Sequence, residues 1–261
     1  MIAFPDINPI ALELGPIAIH WYGLSYITGI GLGWWYLVRT AGRAQPPWTS
    51  EAVADVVFYA ALGAVLGGRL GYILFYNISS YMADPFAIFA VWRGGMSFHG
   101  GLLGTIVALL WFATKTRRRL LAVSDFLLPA LPIGLGLGRV ANFINQELWG
   151  APSQLPWAVV FSNPAAAGLA RHPSQLYEAL LEGVVLFVLL SMANRRTHPT
   201  GYITGLFLLF YGVFRSGVEF VREPDQHIGY VYGGWVTMGQ LLSLPMIVAG
   251  LMLVMVARAK R

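Results

Sequence analysis

Three arginines lie within strongly apolar stretches of this sequence, and their side chains suggest what chemistry it can perform. They are Arg69, Arg139 and Arg215. A charged side chain in the middle of a membrane costs about 2.5–3.5 kcal/mol on insertion scales, so such a residue usually has a partner or a ligand there. A guanidinium group offers paired donors that fit the oxygens of a phosphate. The arginines therefore favour a site for an anionic group such as a phospholipid headgroup.

The roles of Arg215 and Arg69 each have two alternatives. Arg215 stands four residues before Glu219, and at this spacing on a helix the two side chains share a face with Tyr211 and can form an ion pair. The pair either contributes to a ligand site or locks neighbouring helices together. Arg69 has no acidic residue near it in sequence, so it either extends its charge towards water or binds an anion.

The third arginine begins a polar group at the end of an apolar stretch. Arg139 and Asn142 share a helix face, and Asn145 and Glu147 follow them. These side chains either cap the exposed backbone at the end of a helix or contribute to a ligand site.

His99 is the candidate base, in the glycine-rich segment 94–104. Flanking glycines leave backbone accessible to a ligand, and an ordinary pKa of about 6.5 suits proton transfer at neutral pH. The alternative is a hydrogen-bonded packing residue. Ser97 does not stand in a Gly-x-Ser-x-Gly segment, which disfavours a serine nucleophile. Five histidines without a cysteine or a His-Glu-x-x-His motif disfavour a metal site.

The composition indicates that the elements holding these residues are membrane helices. Hydrophobic residues make up 57% of the 261 residues and charged residues 11%, against about 25% charged in soluble domains. A membrane helix needs about 20 apolar residues, and seven windows qualify, near 18–38, 52–75, 97–114, 120–140, 175–193, 201–220 and 236–257. We therefore predict an all-α membrane protein with seven transmembrane helices, forming one membrane domain over residues 1–261.

The basic residues predict the orientation of these helices. Eleven of the seventeen lysines and arginines follow windows one, three, five and seven: Arg39, Arg43, Lys115, Arg117, Arg118, Arg119, Arg195, Arg196, Arg258, Lys260 and Arg261. The positive-inside rule puts them on the cytoplasmic face, with the N-terminus outside and the C-terminus in the cytoplasm. The net charge of +5 thus indicates topology rather than nucleic-acid binding. Residues 141–174, rich in proline, should form a small extracytoplasmic cap.

This orientation brings the polar side chains to one depth. His20, Tyr22, Arg69, His99, the group from Arg139 to Glu147, Glu178, Arg215 and Glu219 should all lie in the outer half of the membrane. A transporter or lipid flippase would instead need polar groups in both halves. A scaffold would leave the three arginines unexplained. We therefore predict a cavity open to the outer leaflet, in a protein that binds or processes lipid.

Several blocks of the sequence resemble one bacterial family, the prolipoprotein diacylglyceryl transferases. The segment Gly138-Arg139-Val140-Ala141-Asn142-Phe143-Ile144-Asn145-Gln146-Glu147-Leu148-Trp149-Gly150 is similar to the family signature. Supporting blocks lie at 19–23, 99–104, 172–178, 211–215 and 219–225, where the last ends at Asp225. The family usually carries bulkier residues where Ser216 and Gly217 stand.

The resemblance implies a reaction and roles for the polar residues. The diacylglyceryl group of phosphatidylglycerol passes to the lipobox cysteine thiol in the signal peptide of a preprolipoprotein, which forms a thioether and releases glycerol 1-phosphate. Arg139 and Arg215 would clamp the phosphate, and His99 would be the base or would position the lipid. Candidate substrate-binding residues are Tyr22, Asn142, Glu147, Gly150, Tyr211, Glu219, His20 and Arg69. No metal ion or cofactor is required. The implied location is the bacterial inner membrane, with several spans and with the site towards the periplasm.

Overall fold

Helices account for most of the computed structural model, which describes residues 1–15, 17–44, 46–90, 94–224 and 229–259, apart from the side chain of Ile17. Asp225 of the last matching block, and Lys260 and Arg261 of the last basic segment, lie outside the described residues. The helices are α1 (Trp21–Thr40), α2 (Ser50–Tyr76), α3 (Ile78–Ala83), α4 (Phe98–Lys115), α5 (Leu120–Leu127), α6 (Leu131–Ile144), α7 (Ser174–Glu178), α8 (Leu186–Ala193), α9 (Tyr202–Glu219) and α10 (Met238–Ala259). A π-helical segment, Ala179–Val185, joins α7 to α8.

All seven apolar windows therefore contain helix. Among the described residues, four helices are long and apolar enough to cross a membrane: α2, α4, α10 and the continuous helix Ser174–Ala193. A fifth span is possible if α5 and α6, which meet at a bend of 52°, cross together. The protein is thus a mostly helical chain with four or five candidate spans, and the number seven and the orientation stay predictions.

Short strands outside the helices qualify the all-α prediction. They are β1 (Ile2–Ala3), β2 (Ile10–Leu14), β3 (Ile17–His20), β4 (Val159–Val160), β5 (Ala170–Arg171), β6 (Tyr230–Tyr232) and β7 (Val236–Thr237). Strand β4 pairs with β1 in parallel and with β5 antiparallel, while β2–β3 and β6–β7 form hairpins. The backbone N–H and C=O groups of these segments have no intrahelical partners, so they form hydrogen bonds between strands.

The chain forms two compact units, each of which is described alone. The smaller unit, Leu37–Val123, contains α2 and α4, and the larger unit comprises Met1–Tyr36 and Ser124–Arg261. In the smaller unit, the two helices meet through glycines: a Cβ placed on Gly67 would lie 2.7 Å from Cα of Gly104. Glycine thus permits the close helix approach that the sequence predicts. The prediction of a single membrane domain stays a prediction.

The larger unit is built around α9. Leu186, Leu190, Ile203 and Phe207 form a buried apolar cluster between α8 and α9. The buried carboxylate of Asp125 accepts hydrogen bonds from the backbone N–H groups of Gly201 and Thr204 and from the Thr204 hydroxyl, at 2.5, 2.7 and 2.6 Å. Because the first N–H groups of a helix lack partners within it, Asp125 caps α9 from another helix.

The predicted cap is partly helix and partly sheet. Its first residues, 141–144, complete α6, and the rest includes β4 and β5. Phe4 and Phe161 are buried together in its core, with Phe143 and Trp149 packed against them. The N-terminal strand β1 therefore belongs to the same packed region as the cap. The extracytoplasmic location of the cap stays a prediction.

Candidate active site

Three arginines surround one buried carboxylate in the larger unit. Glu178, the last residue of α7, has a side chain that is 1% exposed. Its Oε2 lies 2.5 Å from Nε of Arg139, while its Oε1 lies 2.8 Å from Nη1 of Arg215 and 3.2 Å from Nη1 of Arg222. Buried charges need partners of the opposite sign, and Glu178 supplies one. Arg139 and Arg215, which the sequence predicts to share a site, thus contact the same residue.

The predicted ion pair between Arg215 and Glu219 is also present. Nη2 of Arg215 lies 2.5 Å from Oε1 of Glu219 across one turn of α9. The other oxygen of Glu219 accepts a hydrogen bond of 2.5 Å from the hydroxyl of Thr237, the residue before α10. Glu219 therefore links the arginines of the site to α10.

Asn142 and Glu147 extend the site from the end of α6. Nη1 of Arg139 is 3.4 Å from Oδ1 of Asn142, and Nδ2 of Asn142 donates to Oε1 of Glu147 at 2.7 Å. Asn145 donates to the same oxygen at 3.4 Å. The backbone N–H of Glu147 also donates to the carbonyl of Asn142. The side chains of this group bond to one another and to Arg139, whereas backbone N–H groups close the end of α6, so the contribution of the group to a ligand site stays a prediction.

Gly150 lies where two backbone segments approach each other closely. Its N–H donates to the carbonyl of His172 at 2.9 Å, and its backbone also bridges to Arg222. A Cβ at this position would lie 2.6 Å from Cβ of His172, so only glycine fits without a shift. The requirement for glycine is explained by packing, and its role in shaping a lipid pocket stays a prediction.

Tyr22 and Tyr211 approach the charged cluster from different helices. Tyr22, on α1, is within electrostatic range of Arg139 and Glu147, and its hydroxyl lies 3.3 Å from that of Tyr26. Tyr211 stacks on Phe207, with ring centroids 5.6 Å apart, one turn of α9 before Arg215. His20 is exposed at the end of β3. The binding roles of Tyr22, Tyr211 and His20 stay predictions.

Two predicted site residues lie in the smaller unit. Arg69 is 4% exposed and donates to the carbonyl oxygens of Ala87, Ile88, Ala90, Gly94 and Gly95. The alternative that it extends its charge into water is wrong, because its side chain is buried among these carbonyls. His99 is exposed at the second position of α4, with its ring centroid 5.6 Å from that of Phe98. The substrate-binding role of Arg69 and the catalytic role of His99 stay predictions.

Three residues of the cluster received no role from the sequence. Glu178 stood among the outer polar residues and Arg222 within a matching block, but Glu182 was not singled out. Glu182 is 0% exposed and lies 3.9 Å from Nη2 of Arg139. Glu178 and Glu182 lie four residues apart in an apolar window, and this pattern could have indicated a site, since carboxylates within membranes usually have a functional partner.

A further ion pair holds the cap to the segment after α9. Nη1 of Arg171 lies 2.7 Å from Oε2 of Glu223, which also accepts from the indole N–H of Trp149 at 2.8 Å. The Nε–H of Arg171 donates to the carbonyl of Ala166. Because Trp149 follows α6 and Glu223 follows α9, these contacts hold the two segments together.

Known proteins are similar to this sequence over nearly its whole length. The family model described as prolipoprotein diacylglyceryl transferase matches residues 9–256. Three similar proteins carry the name phosphatidylglycerol–prolipoprotein diacylglyceryl transferase. The one from Pseudomonas syringae pv. syringae (strain B728a) is 52% identical over 260 residues, which cover 98% of this chain and 96% of the relative. Those from Pseudomonas paraeruginosa (strain DSM 24068 / PA7) and Pseudomonas putida (strain ATCC 700007 / DSM 6899 / JCM 31910 / BCRC 17059 / LMG 24140 / F1) are 53% and 52% identical, and the matches cover 97% of this chain and 94% and 95% of the relatives.

Proposed function

The chain belongs to the prolipoprotein diacylglyceryl transferase family and transfers diacylglyceryl from phosphatidylglycerol to prolipoproteins, and we propose that its arginine cluster holds the lipid phosphate during this transfer. This reaction is the first step of lipoprotein maturation. The sulfur comes from the lipobox cysteine of the substrate, because the enzyme has no cysteine.

The chemistry accounts for the need for arginines. The thiol sulfur attacks a carbon of the diacylglyceryl group, a carbon–sulfur bond forms, and the carbon–oxygen bond to phosphate breaks. The electron pair of that bond leaves with the phosphate oxygen, and the thiol proton is lost, so glycerol 1-phosphate is released. Negative charge grows on the phosphate as the bond breaks. Fixed cations beside it therefore stabilise the transition state more than the ground state.

One observation carries the proposal: Arg139 and Arg215 contact opposite oxygens of the same carboxylate, Glu178. Two guanidinium groups that contact the two oxygens of one carboxylate are close enough together to contact one phosphodiester. Their side chains are 20% and 15% exposed, whereas Glu178 is 1% exposed. Glu178 thus contacts the arginines on their buried side. The lipid phosphate binds on the side of the arginines that is accessible.

The proposal includes two routes to an activated thiol. A cysteine thiol has an ordinary pKa of about 8.5, and it attacks as the thiolate. His99 takes the proton in the first route. In the second, the positive field of the arginines stabilises the thiolate and His99 positions the lipid.

The proposed topology has seven spans, an outer N-terminus, a cytoplasmic C-terminus and a periplasmic site in the bacterial inner membrane. Helices α1 and α9 would be the two further spans. Arg215 and Glu219 lower the mean hydropathy of α9, which is the expected effect of a functional site within a span. The basic residues near the ends of α1, α4, α8 and α10 support one cytoplasmic face.

Replacing either arginine tests the clamp. Arg139→Ala and Arg215→Ala should each abolish transfer while the protein stays in the membrane, because the departing phosphate loses its partner. The assay incubates purified protein with phosphatidylglycerol and a lipobox peptide, and mass spectrometry detects the diacylglyceryl gain. Arg195→Ala, which changes an exposed arginine after α8, is the matched control. Wild-type turnover in either clamp variant would contradict the proposal.

A further inference from the structure

Glu182 is a buried acid that the proposed transfer chemistry does not use. Its side chain is 0% exposed, and neither of its carboxylate oxygens has a hydrogen-bond partner among the described residues. It lies within the π-helical segment Ala179–Val185, and such wide turns in helices frequently occur at functional sites. A buried carboxylate without hydrogen bonds is costly to keep in place, so its position requires an explanation.

Glu182 lies among charged groups of its own helix and of the neighbouring helices α6 and α9. The nearest cation is Arg139 on α6, whose Nη2 is 3.9 Å away, and Glu178 on its own helix lies one turn before it. The remaining charged or titratable groups that act on it come from α9 and the segment after it: Tyr211, Arg215 and Arg222. Glu182 therefore responds to any change of charge in the arginine cluster.

Counted as ionised groups, the charges around Glu178 sum to zero. The six-charge cluster consists of three arginines and three glutamates: Arg139, Arg215, Arg222, Glu178, Glu182 and Glu219. A phosphodiester adds one negative charge to this cluster, where solvent screens charges weakly. Protonation of one carboxylate would restore the balance.

Glu182 is the carboxylate that loses least by protonation. Glu178 and Glu219 each form an ion pair with an arginine nitrogen at 2.5 Å, and a neutral acid would lose that attraction. Among the described residues, Glu182 has its closest arginine nitrogen at 3.9 Å and makes no hydrogen bond that protonation would break.

We propose that Glu182 takes up a proton from solvent when a lipid phosphodiester binds to the six-charge cluster, and returns it when the site empties. The inference rests on the proposed function, because it assumes that the arginines bind the lipid phosphate. It adds that lipid binding and proton uptake are coupled. An O–H bond forms on Glu182, and the cluster with its bound lipid keeps a net charge of zero.

Calorimetry can count the proton. The full-length protein in detergent is titrated at neutral pH with dihexanoyl phosphatidylglycerol, in two buffers that differ in ionisation enthalpy. The difference between the two binding enthalpies gives the number of protons taken up per lipid. The wild type should take up a substantial fraction of one proton. Glu182→Gln, which is neutral and of similar size, should bind lipid with almost no uptake, and Glu182→Asp should restore the uptake.

A second carboxylate variant serves as the control. Glu223→Gln removes an acid outside the six-charge cluster and should leave the proton uptake unchanged. Equal uptake by Glu182→Gln and wild type, or lipid binding without uptake in the wild type, would overturn the inference alone. Failure of the proposed function would differ: Arg139→Ala would then bind the short-chain lipid as tightly as the wild type, and the inference would fall with it.

Discussion

Replacing Gly239 with alanine should reduce transfer by displacing Glu219. Gly239 is the second residue of α10, and a Cβ there would lie 2.5 Å from Cδ of Glu219 and 2.7 and 2.8 Å from its two oxygens. Carbon atoms prefer separations of about 3.5–4.0 Å, so the carboxylate must retreat by about 1 Å. Glu219 is 6% exposed and bonded to Thr237 and Arg215, so it cannot retreat without lengthening these contacts.

Gly239→Ala should reduce the rate of transfer more than it reduces the free energy of unfolding. A hydrogen bond to a charged group contributes about 1.5–3 kcal/mol, and alanine in place of glycine within a helix returns about 1 kcal/mol. Gly239→Ala should therefore destabilise the protein by about 0.5–2 kcal/mol. Misplacement of a catalytic group by about 1 Å costs up to about 100-fold in rate. Because Glu219 orients Arg215, we expect transfer to fall by about 10- to 100-fold.

The assay compares the initial rate of diacylglyceryl transfer with thermal unfolding in detergent. Gly217→Ala is the matched control, because Gly217 lies between Arg215 and Glu219 on α9 and a Cβ there meets no atom of the described residues within 4 Å. It should keep the wild-type rate and stability or gain slightly in stability. A Gly239→Ala protein that transfers at the wild-type rate would refute the view that Glu219 positions the clamp.

Three further variants test separate parts of the molecule. If His99 is the base, His99→Gln should lose turnover but keep its affinity for lipid in a binding assay, whereas equal loss of both indicates a binding role. Asp125→Ala should lower stability by about 2–4 kcal/mol, because α9 loses its cap and the hydroxyl that bonds to Asp125 loses its partner; an unchanged melting temperature would disprove this. Gly67→Ala should cost about 1–3 kcal/mol by forcing α2 away from α4, whereas Gly31→Ala, whose added Cβ has no described atom within 4 Å, should not.

Helices and local pairs were predictable from the sequence. Apolar windows of about 20 residues identify helices without reference to their neighbours, and the structure has helix in all seven. Arg215 and Glu219 form the predicted ion pair because a spacing of four fixes their proximity within one helix. The 52° bend between α5 and α6 was not predicted, since the window showed only their shared apolar character.

The centre of the site depended on contacts between distant segments. Arg139 and Glu178 are 39 residues apart, and no local spacing predicts that they meet. Arg69 looked unpaired because its partners are backbone carbonyls, which any residue type can provide. Gly239 was not singled out, because its importance follows only from the position of Glu219 across from α10.

The pairing of β1 with β4 has a consequence for biogenesis. The N–H groups of Ile2 and Phe4 donate to the carbonyls of Ala158 and Val160, so each donor waits for an acceptor that lies 156 residues later in the chain. Closing so long a loop carries an entropic cost that the paired strands and the aromatic core beneath them must offset. The pairing of β1 with β4 can therefore form only after the helices between the two strands have been made. Truncated chains that stop short of β4 should leave β1 open to proteases.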